Sequence, residues 1–233
     1  MEEEAMTKAK VLDLNDPKVR EGLKNEAWPR SFGVADLAAT SEEGAQIEGH
    51  PAVYDQRTLI CGYFEEIIER GAFDSCNFDD VLFSVNHDLD RIPLARSRRN
   101  NASSTMQLQL DDIGLRIRAD LDIENNAEAK SLYSSVTRGD IDGMSFIFYV
   151  ADDSWEGLDT DTPVRRIQKI RKVIEVSAVN FPAYPGTDID ARDQAALDNV
   201  VAALDNARSA ELDNSRAQEL EAERLRTEIL MKG

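Results

Sequence analysis

A chain of 233 residues, 42% hydrophobic and 31% charged, has the length and apolar content for one compact domain with appendages. Its formal net charge of -18 and pI near 4.5 argue against nucleic acid or an anionic lipid surface as the main partner. No run of about 18 apolar residues offers a membrane span, and Met1-Glu2-Glu3-Glu4 lacks the basic and apolar regions of a secretory signal, so a cytosolic protein is expected.

Residues 1–27 read as a mixed-charge tail with a short helix around Asp16–Lys24. From Trp28 the texture changes to short β-branched and aromatic runs between turn residues. Strands are predicted at Phe32–Leu37, Ile47–Tyr54, Val81–His87, Met106–Leu110, Leu115–Ile123, Gly143–Val150 and Val173–Phe181. Leu115, Ile117, Ala119 and Leu121 recur at every second position, the period of a half-buried strand. Two helices interrupt them: a short one over Glu65–Arg70, stopped by Gly71, and a better-defined one over Asn126–Arg138. In the second, Asn125 or Asn126 caps the start, Gly139 closes the end, and Leu132, Tyr133 and Val136 form the buried stripe. After Pro185-Gly186-Thr187, residues from Asp190 to Lys232 contain no Gly or Pro and are rich in Ala, Leu, Glu and Arg, so a long helix is expected. The boundaries are a tail over 1–27, a domain over 28–188 and a helical tail over 189–233 that offers a partner-binding or coiled-coil segment. The expected fold is mostly β with α: an antiparallel β-barrel with surrounding helices plus the long C-terminal helix.

Candidate chemistry is bounded by scarcity. Two cysteines, Cys61 and Cys76, make neither a disulfide framework nor a four-thiolate zinc site and are expected as reduced thiols. Two histidines, His50 and His87, cannot make a three-histidine metal site. His50, between Gly49 and Pro51, reads as structural. His87 ends the apolar run Val81-Leu82-Phe83-Ser84-Val85, just before the loop marked by Asp88, Asp90 and Pro93. A histidine at such an edge can reach a cleft while the strand holds it; the plainer reading is a half-buried ring bonded to backbone. Ser145, in Asp142-Gly143-Met144-Ser145-Phe146-Ile147, opens a strongly apolar strand where a hydroxyl needs a partner. That partner can be backbone, or the serine can be a nucleophile. Glu175 lies inside Val173-Ile174-Glu175-Val176-Ser177-Ala178-Val179, on one face with Ser177. Buried there it must be protonated or paired, either with a cation among Arg165, Arg166, Lys169, Arg171 and Lys172 or with a histidine ring whose tautomer it fixes.

Four segments, in this order, resemble the prohead maturation proteases of tailed phages, serine peptidases distantly related to the herpesvirus assemblin protease. They are Glu66-Ile67-Ile68-Glu69-Arg70-Gly71-Ala72-Phe73, then Asn86-His87-Asp88, then Leu132–Phe148 with Gly143-Met144-Ser145-Phe146. The last is Glu175-Val176-Ser177-Ala178-Val179 with Phe181-Pro182-Ala183-Tyr184-Pro185. The resemblance spans roughly Phe32 to Thr187. It implies a herpesvirus-protease-like barrel, a serine nucleophile at Ser145, a histidine base at His87 and no cofactor. Assemblin relatives use a second histidine as third member; this chain has none after Ser145, so Glu175 is expected in that role, with Asp88 the alternative.

The resemblance further implies an endopeptidase packaged from the bacterial host cytoplasm into the procapsid. It would cut the scaffolding segment of the major capsid protein, other internal shell proteins and itself, the last leaving room for a homo-oligomer. Oxyanion donors are expected from backbone amides near Gly143 or from Arg165 or Arg166. The competing reading is a non-catalytic scaffold or internal capsid protein that keeps the protease fold. A hydrolase of small esters would carry the Gly-x-Ser-x-Gly elbow, whereas Ser145 is flanked by Gly143, Met144, Phe146 and Ile147.

Overall fold

The computed structural model describes residues 13–25, 27–30, 36–41, 44–60 and 63–180. The expected helix over Asp190–Lys232, Cys61 and most of the predicted strand Phe32–Leu37 lie outside the described residues. The chain divides into two units, one of residues 1–23 with 195–233 and the other Lys24–Gln194. Described residues of the first carry most of helix α1 (Pro17–Asn25). Asp16 caps it by accepting the Lys18 N–H at 2.8 Å, and Pro17, which has no N–H to satisfy, suits the first turn. The helix predicted over Asp16–Lys24 is therefore present.

The second unit holds the strands β1 (Trp28–Arg30), β2 (Ala38–Thr40), β3 (Gln46–Val53), β4 (Thr58–Ile60), β5 (Phe64–Ile68) and β6 (Val81–Val85). It continues with β7 (Ala95–Ser97), β8 (Met106–Leu110), β9 (Gly114–Asp120), helix α2 (Ala127–Arg138), β10 (Gly143–Glu156) and β11 (Val164–Val179). A seven-stranded sheet runs β1-β10-β11-β5-β4, with β6 also on β11 and β7 on β6; a four-stranded sheet runs β2-β3-β9-β8. The fold is mostly β with two helices among the described residues.

Two expectations need correction. The described strands form two sheets and no closed barrel, and the larger sheet is mixed rather than antiparallel. Strand β11 is long enough to take two parallel neighbours in turn, β5 beside Val164–Ile167 and β6 beside Glu175–Ala178. Between these strands the chain stays against β11 through backbone bonds such as Ile170 N–H to Ala72 and Asn77 N–H to Arg171. The segment Glu65–Arg70 is not a helix; Phe64–Ile68 is a strand between β4 and β11. Six residues barely close a helical turn, and β-branched Ile67 and Ile68 pack better on a pleated surface.

Alternation divides the larger sheet into two faces. Met144, Phe146 and Phe148 of β10, Val176 and Ala178 of β11, and Val81 and Phe83 of β6 enter the core. They meet Ile47, Leu108 and Ile117 of the smaller sheet and Leu132 and Val136 of α2. Each of the larger side chains among these contributes about 1.5–3 kcal/mol by leaving water. Gly49 lets β3 approach β10 closely, since a Cβ there would lie 2.7 Å from the Met144 sulfur. The intervening residues, Ser84, Ser145, Glu175 and Ser177, point to the opposite face.

Candidate active site

Register decides which polar side chains meet. Ser145 lies opposite Ser177 across the β10–β11 pairing, and Ser177 lies beside Ser84 in the parallel β11–β6 pairing. One transverse row therefore carries three serines, with Glu175 two residues back along β11. All are buried: Ser84 is 7% exposed, Ser145 1%, and Glu175 and Ser177 fully enclosed.

His87 reaches this row from the end of β6. The predicted strand Val81–His87 stops at Val85, and Asn86 and His87 both take left-handed backbone conformations, with φ of 51° and 56°. That turn swings the imidazole back over the row. It is uncommon for non-glycine residues and costs about 1–3 kcal/mol where nothing compensates. Here the surroundings hold it: Asn86 N–H donates to the Ala178 carbonyl at 2.9 Å, His87 N–H donates to Ser177 Oγ at 2.9 Å, and Asn86 Oδ1 accepts from Asn180 N–H at 3.0 Å.

The result is a connected chain of polar atoms. His87 Nε2 lies 2.6 Å from Ser145 Oγ, and His87 Nδ1 lies 2.7 Å from Glu175 Oε2. Glu175 Oε1 accepts from Ser84 and Ser177, whose hydroxyls are themselves 2.7 Å apart. A buried carboxylate this well supplied with donors avoids most of the penalty of leaving water. Chemically, a hydroxyl, an imidazole and a carboxylate in line can pass a proton from oxygen to nitrogen and stabilise the resulting imidazolium.

The other expected residues fall elsewhere. Asp88 turns to Arg91, 3.2 Å away, and exposes about a third of its side chain. Arg165 pairs with Glu66 and Asp153 at 3.1 and 2.7 Å, and Arg166 pairs with Glu156 at 2.6 Å. Along β11, Arg165 is ten residues from Glu175, about 30 Å at strand rise. Neither arginine therefore serves as the cation for Glu175 or reaches its end of the strand. His50, on β3 in the smaller sheet, lies between Asp36 and Asp111, with Nδ1 on Asp36 and Nε2 2.9 Å from Asp111. Burial pushes the Cys76 thiol up to about 12, so it stays protonated near neutrality.

Sequence reading passed over Ser84 and Ser177 as parts of this cluster. The available signal was modest: one serine three residues before His87, the other two residues after Glu175.

A family model described as caudovirus prohead serine protease matches residues 34–200. The capsid assembly protease gp21 of bacteriophage T4 is similar at 14% identity, over 66% of this chain and 94% of that one, with a TM-score of 0.34. No curated protein matches the chain. With a match over more than half its length, the chain belongs to the caudovirus prohead serine protease family, and it is a serine protease of capsid maturation.

Proposed function

We propose that Ser145 is the nucleophile, His87 the general base and Glu175 the residue that orients it. The reading is carried by the continuous line from Ser145 Oγ through His87 to the Glu175 carboxylate, with contacts of 2.6 and 2.7 Å. His87 Nε2 takes the Ser145 proton as Oγ attacks the scissile carbonyl carbon. Glu175 stabilises the imidazolium through Nδ1–H, and the tetrahedral intermediate collapses as His87 returns that proton to the leaving amine. Water then repeats the sequence on the acyl-enzyme. Backbone amides beside Gly143 supply the oxyanion donors, each worth about 3–4 kcal/mol in comparable sites.

The substrates in this reading are the scaffolding segment of the major capsid protein, other internal shell proteins and the protease itself, cleaved inside the procapsid in the bacterial host. Residues 28–188 form the protease domain. The 189–233 segment, helix-prone in sequence, docks the enzyme on the scaffold so that it is packaged. Family membership supports the setting, and the composition of the tail supports the docking role.

The test is co-expression with the capsid protein, reading all products by intact mass. Wild type should shorten the capsid protein and itself, while Ser145→Ala should leave every chain full length. Equal cutting by both moves the nucleophile elsewhere, and no cutting by either in closed shells removes the substrate assignment. In a third arm the chain ends at residue 188: packaging should fall while cleavage of a free peptide persists, and unchanged packaging would dismiss the docking role.

A further inference from the structure

We infer that Ser177, assisted by Ser84, is a positioning residue that locks the tautomer and placement of His87; this rests on the Ser145–His87–Glu175 reading above. Ser177 Oγ touches three groups at once: the backbone N–H of His87 at 2.9 Å, the Ser84 hydroxyl at 2.7 Å, and Glu175 Oε1. Ser84 also donates to Oε1. Both serines are buried, Ser84 on β6 and Ser177 on β11, where a hydroxyl without a partner is costly.

Counting protons shows what the arrangement enforces. Three oxygen–oxygen contacts close the triangle of Ser84, Ser177 and Glu175 Oε1, but an ionised Glu175 brings no proton and the two hydroxyls bring one each. Ser177 uses a lone pair to accept from His87 N–H, so its own proton goes to Ser84 or to Oε1. The two hydroxyls cannot donate to each other simultaneously. Every allowed arrangement therefore places at least one hydroxyl proton on Oε1. A hydroxyl on Oε1 orients the carboxylate so that Oε2 faces His87 Nδ1; an ionised oxygen can only accept, so Nδ1 carries the hydrogen and Nε2 presents its lone pair to Ser145. The same Ser177 oxygen holds the left-handed backbone of His87. One hydroxyl thus fixes the base at its backbone and, through Glu175, at its ring.

Histidine labelled with nitrogen-15 provides the readout, because the chain has only two histidines. Wild-type His87 should show a protonated Nδ1 and an unprotonated Nε2. Ser177→Ala should give a mixture of tautomers and slow capsid-protein cleavage about 10- to 100-fold, the scale of one hydrogen bond to a charged group. Ser177→Thr keeps the hydroxyl and should restore the wild-type ring signals and cleavage to within about threefold of wild type. Unchanged His50 signals verify the fold; should the added methyl disturb them, Ser84→Ala serves as second variant and should shift His87 in the same direction, less far. If Ser177→Ala and Ser84→Ala both retain the wild-type His87 tautomer and cleavage rate, the positioning role is wrong. If Ser145→Ala still cleaves, the underlying triad is wrong instead, and the two failures are told apart.

Discussion

At the scale of the residue, Glu175 and Asp88 are separated by what each carboxylate touches. Glu175 is enclosed, faces His87 Nδ1 and receives two hydroxyls, whereas Asp88 faces solvent and Arg91. Replacing Glu175 by Gln keeps the shape but offers the ring an amide that permits the wrong tautomer. Cleavage should drop by roughly 10³- to 10⁴-fold, as for the equivalent change in a serine triad. Asp88→Asn should stay within about threefold of wild type, the size of a surface ion pair lost. Steady-state rates on the cleavage site mapped by mass would check both, and a larger loss in Asp88→Asn would exchange their roles.

At the scale of the element, β11 has two different ends. The end nearest Glu175 carries the polar row, and the start carries a buried ionic cluster. There Glu66 meets Arg30 at 2.6 Å and Arg165 at 3.1 Å, while Asp153 meets Arg165 and Lys24. Arg30 and Arg165 also sit by the rings of Phe148 and Trp155. The cluster ties β1, β5, β10 and β11 together at one place. Arg165→Met would leave Asp153 and Glu66 short of a counter-charge in the interior, so a loss of about 3–5 kcal/mol is expected in urea unfolding. A loss below about 1 kcal/mol would show that the remaining charges re-pair.

The same elements show what could be read in the residues beforehand. Helix α2 was legible because Asn126 caps it, Gly139 takes the left-handed position at its end, and Leu132 and Val136 keep helical spacing. Strands β1, β2, β4 and β7 are three residues each, too short for a period to declare itself; pairing across the sheet creates them. The segment Glu65–Arg70, read as a helix stopped by Gly71, misled because what holds it as a strand is distant: Glu66 is enclosed by two arginines far away in sequence. Ser145, His87 and Glu175 were each visible as odd polar residues in apolar runs. Their convergence depended on the β10–β11–β6 register, and the role of Ser177 on a turn conformation at His87, neither of which local pattern contains.

At the scale of the whole molecule, pH acts on a strongly acidic chain through a histidine outside the polar row. Burial opposes charging of His50, but bonds and charges from Asp111 and Asp36 outweigh it and raise its pKa above 6.5. Asp111 is lowered below 3.8: burial works against this, and His50 with the N–H groups of Gly114 and Ile113 prevails. The raised histidine contributes stability that is complete below pH 6.5 and lost as pH rises through its folded value; the lowered carboxylate contributes above pH 3.8 and loses it as pH falls. Calorimetry should therefore find the Tm gap between wild type and His50→Asn wider at about pH 5.5 than at about pH 9. Using the gap cancels the general repulsion among the carboxylates. An equal gap at both values would refute the linkage.

Ser145, finally, is 1% exposed, while bond formation needs a carbonyl carbon within about 3–3.5 Å of its oxygen. In the mechanism proposed above, hydrolysis at this serine is confined to the fraction of molecules in which it is uncovered, and the apparent rate is the intrinsic rate multiplied by that fraction. An uncovered share of about one in a hundred would hide roughly two orders of magnitude of chemical competence. In that mechanism a change that uncovers Ser145 would raise turnover while every distance in the polar row stays the same.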